Sequence, residues 1–99
     1  MDVYLVKADG MGFVGVSLEH NDFAYIHNLC VHRKARRRGI GRALMEAAFQ
    51  LAEREGKKKV RLTVDGPAWL VEFYESLGFH FIGEEVSTGL DCYERPLGK

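Results

Sequence analysis

The sequence predicts a single α/β domain spanning residues 1–99: a mixed, mostly antiparallel sheet of about six strands, with a central parallel pair and two helices. Three observations carry this. Short apolar runs separated by Gly, Asp and Asn turns fill residues 3–31, 60–65 and 79–95. Two segments have helical spacing instead, one from Ile40 to the stop at Gly56 and one over residues 68–77. The first helix lies between two strands, so a right-handed crossover makes those strands parallel inside an otherwise antiparallel sheet.

In chain order, Val3–Ala8 reads as a strand, turned at Asp9-Gly10-Met11-Gly12 into a hairpin partner over residues 13–18. Asn21-Asp22 turns again into Phe23–Val31, where regular alternation would put Phe23, Tyr25, His27 and Leu29 on one face. In the first helix Ile40, Leu44, Ala47, Ala48, Leu51 and Ala52 form the apolar stripe. A basic turn at residues 57–59 leads into the fourth strand, where Val60, Leu62 and Val64 alternate with Arg61 and Thr63. Pro67 suits the first turn of the second helix, whose inward residues are Leu70, Val71, Tyr74 and Leu77 before Gly78. Residues 79–86 and 90–95 complete the sheet as an antiparallel pair around Ser87-Thr88-Gly89.

The chain is organised around the junction of third strand and first helix, CVHRKARRRGIGRALMEAAFQL at residues 30–51. Gly39 and Gly41 clear side chains from the helix start, where the first N–H groups have no intrahelical partner. With the positive end of the helix dipole, those groups form an anion site. Arg36, Arg37, Arg38 and Arg42 surround it with positive charge, so a diphosphate-bearing ligand is expected. Two other phosphate loops are excluded. The dinucleotide fingerprint needs a third glycine where Leu44 stands, and no Lys-Ser or Lys-Thr pair supplies a nucleoside triphosphate loop.

Arg36-Arg37-Arg38-Gly39-Ile40-Gly41 resembles the R/Q-x-x-G-x-G/A signature with which the GCN5-related N-acetyltransferases hold the pyrophosphate of acetyl-CoA. Phe73-Tyr74-Glu75-Ser76-Leu77-Gly78-Phe79 is similar to that family's F-Y-x-x-L-G-F, and the two motifs stand in the family's order. The resemblance covers the chain from about residue 3 onward and implies an acetyl-CoA-dependent transfer of an acetyl group to a primary amine. It also implies that the third and fourth strands splay apart beside the loop, with the pantetheine arm in the gap. A backbone N–H at a bulge, mapped to Leu29 or Cys30, would polarise the thioester carbonyl, and Val31 would pair with pantetheine. Gly39, Ile40, Gly41 and Arg42 complete the cofactor-binding set with Arg36, Arg37 and Arg38.

Acetyl transfer also needs a proton for the departing thiolate and a base for the amine. Tyr74 aligns with the family tyrosine that supplies the proton, although its spacing from Leu70 and Leu77 would equally suit a core aromatic. His27 stands two residues before Leu29, where many relatives carry a glutamate base, and an imidazole ordinarily titrates near neutrality. Against this, a strand histidine is commonly a surface or hydrogen-bonded residue. His20, His32 and His80 have no ligand-like spacing, so no metal is expected, and Cys30 lacks a histidine pattern that would mark a nucleophile.

Composition narrows the partners. Fourteen Lys and Arg balance fourteen Asp and Glu, yet six of the basic residues fall within residues 33–42. That is a local anion site on a neutral chain, which argues against nucleic acid. An acidic residue after Met1, no apolar span and only two cysteines point to the cytoplasm and away from membranes.

The chain departs from the family pattern in two places. Only short turns join the apolar segments before Val31, so the usual N-terminal strand and helices, one wall of the acceptor pocket, are expected to be missing. Pro67 stands where relatives often show an Asn. A missing wall leaves the site open to a peptide or protein amine, or completed by a second copy in a homodimer with Phe13, Phe23, Tyr25, Phe79 and Phe81 at the interface. The same gap allows a CoA-binding regulatory module with little catalysis.

Overall fold

The structure, a computed structural model, describes residues 3–35 and 39–98. Strands β1 (Val3–Ala8), β2 (Gly12–Ser17) and β3 (Phe23–Val31) are followed by a 3-10 turn at Arg33–Ala35 and helix α1 (Ile40–Arg54). Strand β4 (Lys59–Val64), helix α2 (Ala68–Ser76) and strands β5 (His80–Glu84) and β6 (Asp91–Pro96) complete the fold. The sheet order is β1-β2-β3-β4-β6-β5, antiparallel throughout except where β3 meets β4.

Both helices contribute to one buried cluster on one face of the sheet. There α1 contributes Leu44, Met45, Ala48, Phe49 and Ala52, and α2 and its end contribute Tyr74, Leu77 and Phe79. The sheet side of that cluster is Val14, Val16, Ala24, Ile26, Val60, Leu62, Val64 and Tyr93. Each large side chain buried this way contributes roughly 1.5–3 kcal/mol. The stripe on α1 is rotated from the expected one. Met45 and Phe49 are buried while Ala47 and Leu51 are half-buried, because the flank of α1 that packs against the sheet is the one carrying Met45 and Phe49.

The other face carries Phe23, Tyr25, Lys59, Arg61, Thr63, Cys92 and Glu94, the residues that alternate with the buried ones. Arg61 lies over the Phe23 ring at 4.4 Å, donates to Glu94 Oε1 at 2.8 Å and is therefore held from two sides. Among the described residues neither helix lies on this face.

Strand β3 does not alternate regularly. Val14 pairs with Leu29 but Val16 pairs with Ile26, so His27 and Asn28 together face the single Gly15. This β-bulge shifts the phase by one residue. Leu29 and Val31 therefore turn to the core side, away from the face of Phe23 and Tyr25 where strict alternation would have placed Leu29.

Both helices end on a glycine in the left-handed region. After α1, Gly56 has φ +79° and its N–H donates to Glu53, while Lys57 N–H donates to Ala52. After α2, Gly78 has φ +97°, with Gly78 N–H to Glu75 and Phe79 N–H to Tyr74. Both are Schellman stops, which satisfy the last carbonyls and need a residue without a Cβ.

Candidate active site

Strands β3 and β4 pair at Phe23 with Lys59, Ala24 with Val60 and Tyr25 with Arg61, and there the pairing ends. Yet β3 runs on to Val31 and β4 to Val64. Beyond Arg61 the partner of β4 is β6 alone, while β3 is bent by its bulge and stays with β2. The two strands thus part in the middle of the sheet, as the splay requires. The bulge stands at His27 and Asn28, earlier than the expected Leu29 or Cys30, because those two residues keep register with Val14 and Phe13.

The start of α1 lies over this gap. Gly39 is its N-cap at φ 77°, a left-handed conformation that glycine adopts without cost, and among the described residues no side chain caps the helix. The first intrahelical bond runs from Ala43 N–H to the Gly39 carbonyl, so the N–H groups of Ile40, Gly41 and Arg42 have no acceptor within the helix. At Gly41 a Cβ would lie 3.5 Å from Phe73 Cζ, 3.7 Å from Val31 Cγ2 and 3.9 Å from Leu29 Cδ2. A methyl would fit at that distance; a longer side chain would enter the gap. Leu29 and Val31 are half-buried below this turn and Cys30, between them, is exposed.

Arg42 is exposed and its guanidinium donates to Ser76 Oγ at 3.4 Å, while Ser76 Oγ donates to the Phe73 carbonyl at 2.6 Å. That chain ties the first turn of α1 to the last turn of α2. Arg36, Arg37 and Arg38 lie outside the described residues.

Tyr74 is buried, with ring contacts to Phe73 at 5.3 Å and Phe79 at 5.8 Å. Burial pushes its phenol above the ordinary tyrosine range, so it holds its proton through neutral pH. It is thus a core aromatic, on the helix whose last turn is tied to the first turn of α1. His27 is exposed, with the Tyr25 ring edge-on at 5.1 Å.

Sequence reasoning missed two features. The Tyr25 and Thr63 hydroxyls bond at 2.9 Å across the place where β3 and β4 part. The open face also holds a cleft of about 290 Å³ lined by Phe23, Tyr25, Arg61, Ile82, Glu84 and Cys92 among others. Burial raises the Cys92 thiol pKa, Arg61 opposes this, and the Glu85 and Glu94 carboxylates raise it further. Among the described residues no group of three or more His, Cys, Asp and Glu is placed to hold a metal ion, and no helix is long and apolar enough to cross a membrane.

Residues 2–90 match the acetyltransferase (GNAT) domain model. An uncharacterized N-acetyltransferase of Methanocaldococcus jannaschii is 38% identical over 81 residues, covering 75% of this chain and 36% of that protein. The PaiA N-acetyltransferase of Thermoplasma acidophilum, solved with coenzyme A, superposes with TM-score 0.82 at 20% identity over 97% of this chain and 62% of its own, a likeness of fold. A Bacillus anthracis protein named a streptothricin acetyltransferase, solved with acetyl coenzyme A, gives 0.79 at 25% identity over 89% of this chain and 56% of its own. The chain thus spans about a third of the curated relative's length, 36%, and under two thirds of these structures.

Proposed function

The chain belongs to the GNAT acetyltransferase family, and from that membership we propose that it moves an acetyl group from acetyl-CoA to a primary amine by direct attack in a ternary complex. The observation that carries the reading is the parting of β3 and β4 after Tyr25 and Arg61, under an uncapped helix start. The Bacillus anthracis relative, solved with acetyl coenzyme A, supports the same cosubstrate.

In this reading the N–H groups of Ile40, Gly41 and Arg42, at the positive end of the helix dipole, hold the diphosphate. Arg36, Arg37 and Arg38 add charge from the preceding residues. The main chain of Leu29, Cys30 and Val31 holds the pantetheine arm as an added strand would be held, and an N–H of this strand polarises the thioester carbonyl. The amine nitrogen forms a bond to that carbon and the carbon–sulfur bond breaks. Tyr74 gives its phenol proton to the departing sulfur and regains one from solvent, while His27 takes the amine proton directly or through water.

Calorimetric titration with acetyl-CoA tests the ligand, and release of free thiol in the presence of polyamines, amino acids and peptides tests the transfer. Heat and thiol release together support the enzyme. Heat with no thiol release across the panel favours a CoA-binding module, and no heat rejects the site.

A further inference from the structure

Resting on the acetyl-CoA reading, we propose that the Tyr25–Thr63 hydrogen bond is an acyl stop that closes the end of the gap between β3 and β4 and limits the transferred group to acetyl. Tyr25 belongs to the last paired rung, opposite Arg61, while Thr63 is two residues further along β4, where β3 has already left. Their hydroxyls meet at 2.9 Å, so the bond spans the opening itself. Tyr25 and Thr63 alternate with the buried Ala24, Ile26, Leu62 and Val64, which places the bond on the face turned away from both helices.

The uncapped turn of α1 meets Leu29 and Val31 at the other end of the gap, through Gly41. A pantetheine arm running from that turn toward the rung brings its acyl end against the bonded pair. The stop is braced on both sides: toward the gap His27 stands edge-on to the Tyr25 ring, and on the paired side Arg61 is held by Glu94 and over Phe23. Past it lies the cleft lined by Phe23, Tyr25, Arg61, Glu84 and Cys92, into which a longer acyl chain cannot extend while the bond stands.

The dissociation constants of free CoA, acetyl-CoA and propionyl-CoA test this without knowledge of the acceptor. The unsubstituted chain should bind propionyl-CoA about tenfold more weakly than acetyl-CoA, the low end of what one methylene is worth in a shaped site. Tyr25→Phe, which keeps the ring, and Thr63→Ala, which opens space, should bring the two constants close together with the affinity for free CoA unchanged. Thr63→Ser keeps the hydroxyl and should keep the discrimination. Equal constants in the unsubstituted chain, a tenfold gap that survives in Tyr25→Phe and Thr63→Ala, or loss of the gap in Thr63→Ser each overturn the proposal. Absence of binding by all three ligands is a different result and overturns the acetyl-CoA reading itself.

Discussion

Tyr74 and Phe79 meet twice. The Phe79 N–H donates to the Tyr74 carbonyl at 3.2 Å, and their rings stand edge to face with centroids 5.8 Å apart. The L-G-F part of the second motif is thus a helix stop before it is anything chemical. Gly78 lets the chain reverse, and the reversal folds Phe79 back on the turn that carries Tyr74.

Gly78→Ala tests that relationship. Its Cβ would sit in the left-handed region and 3.3 Å from Arg95 Nε. A cost of about 1–2 kcal/mol is expected from the conformation alone, which lowers the melting temperature by several degrees in a domain of this size. Thermal unfolding measures it, and an unchanged midpoint would show that the stop is not what holds Tyr74.

Tyr74→Phe separates the phenol from the ring. The ring contacts with Phe73 and Phe79 remain, so acetyl-CoA affinity should hold while turnover falls by about 10²-fold or more, the lower range for a positioned proton donor. Unchanged turnover would remove the acid role and leave Tyr74 as a core residue.

The same phenol has a pH signature in stability. Burial raises Tyr74 above its value in the unfolded chain, and burial with Asp91 and Glu75 raises Tyr93 in the same way. The sign follows: below the ordinary tyrosine range both states keep the proton and stability is full. As pH rises through that range the unfolded chain ionises first, and stability falls. Denaturation midpoints measured upward from pH 9 should decline, and Tyr74→Phe should flatten the decline without abolishing it, since Tyr93 remains.

The strand and helix boundaries were legible because each is set locally, by alternation, by Pro67 and by glycines that end helices. The bulge was not, since it depends on how β3 registers against Gly15 of β2, and no residue type at His27 or Asn28 announces it. For the same reason the face of Leu29 was misassigned. Met45 and Phe49 were missed where small alanines also fitted the helical period; only the packing of α1 against the sheet decides which flank turns inward. In the site, the helix start at Gly39 and Gly41 was readable from two glycines in a row of arginines. The Arg42–Ser76 tie and the Tyr25–Thr63 bond join residues 34 and 38 positions apart, and nothing short of the fold brings them together.

His27→Ala bears on the base. His27 is exposed on β3, in the bulge beside the gap, a position from which it can take a proton without displacing core side chains. If it is the base, the acidic limb of the kcat/KM profile should move or vanish in the variant. A superimposable profile would remove His27 as the base.

Gly41→Asp puts helix stability and ligand binding in opposition. A carboxylate in the first turn of α1 complements the positive end of the helix dipole, worth about 0.3–1 kcal/mol, so the free chain should be no less stable. The same carboxylate would occupy the ground of the proposed diphosphate and repel it. Its side chain would also extend past the 3.5 Å contact that a bare Cβ makes with Phe73. Acetyl-CoA should therefore lose at least about tenfold in affinity, 1.4 kcal/mol, in a chain whose own melting temperature is held or raised. Gly41→Ala, whose methyl fits, should bind almost as the parent does. Melting curves with and without acetyl-CoA read both quantities at once, and equal thermal protection of Gly41→Asp and the parent would mean that the anion is held elsewhere.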